Sequence, residues 1–262
     1  MINGKRITLV VPCRNEEKII AAFLRKVPRC VDEILIVDNN SNDKTAEVAQ
    51  KTSTRVRIIH ENRTQNGIGY GYAHMAGLAD ATGDYIVAMD GDDTYPLNAI
   101  KIVVRKMQSE HWNFISCNRL PLRNPKAISK TRQLGIKILN TEISLLYGYP
   151  IKDILTGMWV VQKEVVHELN LTEGDWNLSP EIKLAALANP RIRFTEYHIH
   201  HFEREYEPSK QQIFKTGFAH LAYIAKRRLT NDNELYQKVK SLWYETLGKR
   251  KLIRADARYA FK

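Results

Sequence analysis

Two aspartates separated by one glycine, Asp90-Gly91-Asp92, directly follow an apolar run from Tyr85 to Met89. Such a run predicts a strand buried on both faces, and glycine lets the backbone turn tightly enough for both carboxylates to face one point. Paired carboxylates suit a hard divalent cation, Mg2+ or Mn2+, which keeps coordination positions open for substrate phosphates. The alternative is a solvated acidic turn, because Asp-Gly is a common turn dipeptide.

The elements that position this pair can be predicted from apolar periodicity. It predicts strands over 7–11, 33–37, 56–60, 85–89 and 113–117, and helices over 16–27, 45–50, 70–81 and 97–108. Repeated alternation of strand and helix predicts an α/β fold with a mostly parallel sheet joined by right-handed crossovers. The aspartate pair then lies at the carboxyl edge of the sheet, where open α/β sheets bind ligands.

Composition indicates a soluble globular protein. The 262 residues are 44% hydrophobic and 26% charged, with a mean hydropathy of −0.39, which excludes a disordered chain. Met1 to Arg6 lead straight into the first strand, and no apolar run is long enough to cross a bilayer, so we expect neither a signal peptide nor a membrane span. Three cysteines without metal-ligand spacing favour reduced thiols and a cytoplasmic location.

The positive charge is concentrated near the end of the sequence. The net charge is +11, and residues 210–262 hold 13 Lys and Arg against four acids. A basic segment of this kind predicts an anionic partner, either a membrane surface or a nucleic acid. We therefore divide the chain into a domain over 1–207 and a basic helical tail over 208–262. Within the tail an apolar stripe has helical spacing: Ile213, Phe214, Gly217, Phe218, Leu221, Ile224 and Ala225.

Four segments occur in the order and spacing of glycosyltransferase family 2, and on them the chain resembles that family. They are Val10–Glu17, Val37–Thr45, Asn66–Gly77 and Asp90–Asp92. The resemblance implies a GT-A fold, a nucleotide-diphosphate sugar as donor and inversion at the anomeric carbon. Gly67, Gly69 and Gly71 do not have the spacing of the dinucleotide-binding fingerprint G-x-G-x-x-G, so we do not expect a dinucleotide site there.

The resemblance implies which residues hold the donor. Asp90 and Asp92 would bind the metal that bridges the diphosphate. Asp38 would accept hydrogen bonds from the ribose, although an Asx turn or a helix cap before Thr45 is the alternative for this carboxylate. The full set of implied nucleotide-sugar ligands is Pro12, Arg14, Glu16, Asp38, Asn40, Gly67, Asp90 and Gly91.

The second half of the chain resembles the dolichyl-phosphate mannose synthase branch of the family more loosely. The matching segments are Cys117–Arg119, Arg132, Asp153–Trp159, Ser179–Ile182 and Arg204–Lys210. They depart from the usual pattern at Trp159, where arginine is expected, and at Glu207, where glycine is expected. The branch implies a polyprenyl or dolichyl phosphate acceptor, whose oxygen is already anionic and needs cations more than a general base. The implied catalytic residues are Asp92, Arg119, Arg132, Arg204 and Lys210.

Several alternatives stay open on the sequence alone. A soluble saccharide or small hydroxyl acceptor would need a general base, for which Asp153 or Glu181 is the first candidate. A basic nucleic-acid-binding protein is the alternative outside enzymes, and the absence of a recognition module makes it the weaker interpretation. The apolar stripe of the tail could lie on an anionic membrane, making the protein peripheral, or pack on its own domain or on a second copy. A strand over 192–202 would carry His198, His200 and His201 as ordinary strand histidines.

Overall fold

A computed structural model of the protein describes residues 1–204 and 211–230. The predicted site residue Lys210 and most of the predicted tail lie outside these ranges. The described strands are β1 Ile7–Cys13, β2 Glu33–Asp38, β3 Val56–His60, β4 Tyr85–Ala88, β5 Phe114–Asn118, β6 Trp159–Gln162 and β7 Phe194–His198. The described helices are α1 Glu17–Lys26, α2 Thr45–Thr52, α3 Tyr70–Asp80, α4 Ala99–Glu110, α5 Lys130–Tyr147, α6 Leu178–Ala188 and α7 Ile213–Thr230, with a 3-10 helix at Lys163–Leu169.

The described strands form one mostly parallel sheet in the order β3-β2-β1-β4-β6-β5-β7. The predicted α/β architecture is therefore confirmed. Strand β6 runs antiparallel to both of its neighbours, whereas the other pairings are parallel. Because Cys13 pairs with Asp38 in register, β1 and β2 end at the same level of the sheet. The loops that follow them share one edge with the loop that follows β4.

Each of the first four strands is followed by an asparagine or aspartate in the left-handed region of the backbone map. These residues are Asn15, Asn40, Asn66 and Asp93, with φ between 55° and 61°. Short polar side chains tolerate this conformation better than other non-glycine residues do. These residues let the backbone turn sharply in the loops at the carboxyl edge.

The sheet is covered on both faces. Helices α1 and α4 contribute to one buried cluster, through Phe23 and Val103 among others. Helices α3 and α6 contribute to the opposite cluster, through Leu78 and Ile182 among others. Strands β1, β2 and β4 supply side chains to both clusters, which explains why they read as continuous apolar runs.

The last predicted strand is shorter than its pattern suggests. Strand β7 ends at His198, and the chain then leaves the sheet. The Phe202 N–H donates to the carbonyl of Thr94 at 2.8 Å, so this segment runs along the loop after β4 instead of along β5. The predicted strand over 192–202 is therefore wrong beyond residue 198, because a loop hydrogen bond replaces the sheet pairing.

Helix α7, which belongs to the predicted tail, packs on the domain. The Tyr147 hydroxyl donates to the Ile224 carbonyl at 2.9 Å, and Arg228 Nε donates to the Leu146 carbonyl at 2.8 Å. Ile224 is fully buried, and Leu221 packs in the same cluster between α5 and α6. The boundary at 207 and 208 lies outside the described residues and stays a prediction. In the described part of the chain, no helix is long and apolar enough to cross a membrane.

We expect Gly77→Ala to lower the free energy of unfolding by about 1–3 kcal/mol, because it overpacks a full core. A Cβ at Gly77 would lie 2.3 Å from Cγ1 of Val10, where α3 crosses β1. Gly135→Ala in α5 is the matched control, because a Cβ there would meet no atom within 4 Å. It should be neutral or stabilising by up to about 1 kcal/mol. Urea unfolding of both variants measures the difference, and equal midpoints would contradict the packing argument.

Candidate active site

A cavity of about 1000 Å3 opens at the carboxyl edge of the sheet. It runs from the loops after β1 and β4, past the loop that ends β5, to the space between α5 and α7. The structure brings most of the predicted site residues to its wall: Pro12, Arg14, Glu16, Gly67, Asp90, Gly91, Asp92, Arg119, Arg132 and Arg204.

The two aspartates lie together in this cavity, and their surroundings favour a cation. Asp92 is 6% exposed, and its Oδ1 accepts hydrogen bonds from the N–H and the hydroxyl of Thr94 at 3.2 and 2.7 Å. Burial and the charge of Asp92 raise the pKa of Asp90, since two carboxylates repel each other where water is scarce. Hard oxygen ligands of this kind fit Mg2+ or Mn2+. In the described part of the chain no third acidic, histidine or cysteine side chain completes a cage, so a cation there would take further ligands from substrate or water.

The loop before β6 lies against Asp90. A Cβ on Gly157 would be 2.7 Å from Oδ2 of Asp90, so glycine allows this close approach. The Gly157 N–H donates to the hydroxyl of Tyr95 at 2.6 Å, which fixes the loop from the other side. The position of the Asp90 carboxylate is therefore set by residues far apart in the sequence.

Arg119 is held by a buried carboxylate. Its Nε and Nη2 atoms donate to the two oxygens of Asp153 at 2.7 and 3.0 Å, and its backbone N–H donates to the same side chain at 3.1 Å. Burial alone would raise the pKa of Asp153, but the charge and hydrogen bonds of Arg119 lower it below its ordinary value. The pair orients the guanidinium rigidly at the cavity wall.

Arg132 stands in the first turn of α5, whose N-cap Ser129 accepts the backbone N–H of Arg132 at 3.4 Å. Its half-buried guanidinium has no hydrogen-bond or ion-pair partner among residues 1–204 and 211–230. Burial, together with the positive charges of Arg204 and Arg119, lowers its pKa. Three guanidinium groups thus lie close together, and the Arg132 guanidinium, which has no ion-pair partner among the described residues, is available to an anion.

Two predicted nucleotide ligands lie outside the cavity wall. Asp38 accepts the Ser41 N–H at 3.3 Å and contacts Nδ1 of His60 at 3.3 Å, and Asn40 Nδ2 donates to the Asn62 carbonyl at 3.2 Å. The neighbouring Asn39 lines the cavity instead. The Asp38 contact with Ser41 spans three residues, one more than an Asx turn, and Asp38 does not cap α2. The ribose role of Asp38 stays a prediction.

An aromatic part of the wall was not predicted. The rings of Tyr70 and Trp176 lie 4.6 Å apart, and the ring of His201 lies 4.9 Å from that of Tyr95. Trp176 is placed by its loop, whose Gly174 carbonyl accepts the N–H groups at the start of α3. That loop has no apolar periodicity, so the sequence provides no indication that Trp176 lies at the cavity wall. Trp159, where the resemblance expects an arginine, is buried against the ring of Phe114.

The two carboxylates proposed as general bases are engaged elsewhere. Asp153 is bound by Arg119, as described above. Glu181 is 1% exposed and accepts the N–H groups of Thr172 and Glu173 at 2.9–3.1 Å. Neither lines the cavity, whose described acidic wall residues are Glu16, Asp90 and Asp92. The two carboxylates that the sequence offered as general bases are therefore not placed to act on an acceptor in this cavity.

The far end of the cavity is apolar. It lies between α5 and α7, where several large side chains are exposed to solvent. Phe214 is 73% and Phe218 70% exposed, and both line the cavity. We call the following exposed set the apolar belt: Leu134, Ile138, Phe214 and Phe218, which line the cavity, and Leu145, which lies further along α5.

Comparison with known proteins identifies the family. The model described as "Glycosyl transferase family 2" matches residues 8–169. The chain belongs to glycosyl transferase family 2. A dolichyl-phosphate hexose transferase of Haloferax volcanii is 28% identical over 190 residues, which cover 71% of this chain and 77% of the relative. An undecaprenyl-phosphate 4-deoxy-4-formamido-L-arabinose transferase of Salmonella paratyphi B is 25% identical over 222 residues, covering 80% of this chain and 64% of that protein. The protein is thus a glycosyltransferase.

Solved structures show the same fold. Glucosyl-3-phosphoglycerate synthase of Mycobacterium tuberculosis aligns with a TM-score of 0.62 at 19% identity, covering 86% of this chain and 81% of that one. Mannosyl-3-phosphoglycerate synthase of Rubrobacter xylanophilus aligns with a TM-score of 0.65 at 18% identity, covering 87% and 75%. These alignments confirm the predicted GT-A fold.

A buried lysine supports the loop beside Asp90. Lys183 in α6 is fully buried, and its Nζ donates to the carbonyls of Thr156 and Ser179 at 2.9 Å each, and to the Ser179 hydroxyl at 3.2 Å. Burial lowers the pKa of Lys183 from 10.5 to about 7. The Lys183 ammonium therefore supports the Thr156-Gly157 turn, but burying its positive charge costs free energy.

This cost predicts a pH dependence of stability. Between about pH 7 and pH 10.5 the unfolded chain binds more protons at Lys183 than the folded protein does. Stability from this residue therefore rises with pH, by at most about 1.4 kcal/mol per unit. Lys183→Met removes that rise, so the wild type should gain stability relative to the variant between pH 7 and pH 10 in urea unfolding. Lys101→Met, at an exposed lysine of α4, is the control and should leave the slope unchanged. A parallel pH profile for wild type and Lys183→Met would contradict the argument.

Proposed function

We propose that this protein is a metal-dependent, inverting glycosyltransferase that moves a sugar from a nucleotide diphosphate to a polyprenyl or dolichyl phosphate. The observation that carries the proposal is the single cavity that joins an aspartate pair, three arginines and an apolar opening. Each part suits one portion of the substrates: the donor diphosphate with its metal, the acceptor phosphate, and the lipid chain.

The donor end would hold Mg2+ or Mn2+ through Asp90 and Asp92. When bound, the cation would neutralise the diphosphate and stabilise it as a leaving group. A glucosyl-3-phosphoglycerate synthase of the same fold was crystallised with Mn2+ and UDP-glucose, which supports this use of the fold. The nucleotide would contact the carboxyl ends of β1 and β2 and the loops after β1 to β4, through Pro12, Arg14, Glu16, Asp38, Asn40, Gly67 and Gly91.

The acceptor end would bind a phosphate between Arg119, Arg132 and Arg204, with Lys210 as a fourth predicted cation. A phosphomonoester is largely dianionic at neutral pH, so it can attack without a general base. This agrees with the engaged state of Asp153 and Glu181, and it favours a phosphate over a hydroxyl acceptor. Two relatives named for dolichyl-phosphate and undecaprenyl-phosphate substrates support the same class.

The reaction would be a direct displacement. An acceptor phosphate oxygen forms a bond to the anomeric carbon, while the bond from that carbon to the donor diphosphate breaks. The electron pair of the broken bond stays on the diphosphate oxygen, and the configuration at carbon inverts. The arginines would bring two anions together against their repulsion and hold the attacking oxygen in line.

The apolar belt gives the lipid chain a place to lie. It borders the cavity on α5 and α7, and exposed Lys130, Lys137 and Lys215 accompany it. Apolar side chains flanked by lysines suit the surface of an anionic bilayer. We therefore propose peripheral association with the cytoplasmic face of a membrane, with α7 docked on its own domain through Ile224 and facing lipid through Phe214 and Phe218.

Asp92→Asn should lower the rate of metal-dependent transfer by about 100-fold or more, because loss of a charged metal ligand removes several kcal/mol of transition-state stabilisation. Asp93→Asn is the matched control. Asp93 pairs with Lys26 and does not line the cavity, and asparagine tolerates its left-handed backbone. The assay is transfer of radiolabelled sugar from UDP- and GDP-sugars to polyprenyl phosphate with and without Mn2+. Equal activity of the two variants would refute the assignment of the metal site.

Phe218→Ser should weaken binding to anionic vesicles and lower kcat/KM for a long polyprenyl phosphate, each by about tenfold. The reason is that the lipid contact loses most of the apolar area of one phenylalanine side chain. Ile102→Ser is the control, since Ile102 is 52% exposed but lies on α4, away from the cavity. Vesicle co-sedimentation and acceptor kinetics measure the two effects. Unchanged values for Phe218→Ser, or full activity with soluble hydroxyl acceptors, would favour a soluble acceptor instead.

A further inference from the structure

Arg204 forms an ion pair with Asp92 inside the cavity. Its Nη2 atom contacts Oδ2 of Asp92, while Oδ1 is already engaged by Thr94. The side chain of Arg204 is 31% exposed and that of Asp92 6% exposed, so the pair is shielded from bulk water. Both oxygens of a proposed metal ligand are therefore in use, and one of them is held by a positively charged group.

The backbone near Arg204 is anchored, but its side chain is long. The Ile199 N–H donates to the Asn118 carbonyl at 2.9 Å, and the Phe202 N–H donates to the Thr94 carbonyl at 2.8 Å. These bonds keep the segment between the end of β5 and the loop after β4. A change of partner by the guanidinium would therefore need rotation of its own side chain and no displacement of the backbone.

A divalent cation between Asp90 and Asp92 would compete with this ion pair. Asp92 would have to give the cation a carboxylate oxygen, and a cation beside the Arg204 guanidinium would be repelled in a cavity of low dielectric. The other arginines lie close enough to Arg204 for its charge to act on Arg132. A displaced guanidinium would therefore remain next to Arg119 and Arg132, where the acceptor phosphate is proposed to bind.

We infer that the metal and Arg204 exchange at Asp92, so that loading the metal and donor releases Arg204 to complete the acceptor-phosphate site. This inference rests on the proposed function and adds to it a role for Arg204 that changes with the occupancy of Asp92. Before the donor arrives, Arg204 neutralises Asp92. With a cation held by Asp92, the Arg204 charge would become available to the incoming phosphate.

Titration of Mn2+ alone into the full-length protein, followed by electron paramagnetic resonance of the free ion, tests the exchange. Arg204→Met removes the competing cation, and Mn2+ should bind about five- to tenfold more tightly than to wild type. Arg132→Met is the matched control. It also removes one positive charge from the cavity, but Arg132 does not contact Asp92, so Mn2+ affinity should change less than about twofold.

A second measurement separates the exchange from a merely structural role of Arg204. In Arg204→Met the KM for polyprenyl phosphate should rise about tenfold or more while the KM for the donor does not rise. Tighter metal binding together with weaker acceptor binding is the expected combination. Arg204→Gln, which keeps polar contacts, should show the same two signs if the methionine variant does not fold.

Three results would overturn the inference. Unchanged or weaker Mn2+ binding by the folded Arg204 variants would show that the guanidinium does not compete with the metal. Equal tightening in Arg132→Met would assign the effect to general cavity charge. Absence of Mn2+ binding to wild type, with and without nucleoside diphosphates, would overturn the proposed function together with the exchange.

Discussion

The structure depends on charge balance at one edge of the sheet. Carboxylates and guanidinium groups meet there at low exposure, where neither sign is tolerated alone. Asp153 balances Arg119, and Asp92 balances Arg204, which leaves Asp90 and Arg132 without such ion pairs among the described residues. The site therefore holds one place suited to a cation beside one suited to an anion. A donor diphosphate with its metal and an acceptor phosphate would complete this arrangement.

Local sequence signals predicted the donor side of this arrangement. The apolar runs of β1, β2 and β4 are continuous because helices cover both faces, and a parallel sheet brings their ends together. That reasoning located Asp90 and Asp92 correctly at the carboxyl edge. It could not select among Asp38, Asn39 and Asn40, because strand pleat and the local turn decide which of three consecutive polar residues faces the cavity.

Features that depend on long-range packing were beyond the sequence. Trp176 and His201 reach the cavity through loops whose positions are set by hydrogen bonds to α3 and to the loop after β4. Lys183 contradicts the usual exposure of lysine, and its burial follows from the carbonyls that surround it. The environment of the apolar stripe of α7 could likewise not be predicted from the sequence. Packing on its own domain is confirmed for Leu221 and Ile224, whereas Phe214 and Phe218 of the same stripe are exposed, and periodicity does not divide one stripe between two environments.

The antiparallel strand β6 lies between two groups of strands in the sheet. Strands β1 to β4 lie on one side with the predicted donor residues, and β5 and β7 lie on the other with Arg119 and the segment that leads to Arg204. Because β6 runs in the opposite direction, the loop before it, not the loop after it, reaches the cavity between the two groups. Because Gly157 in that loop lies against Asp90, and Arg204 on the other side of β6 pairs with Asp92, a change in either part of the sheet would alter the surroundings of both aspartates.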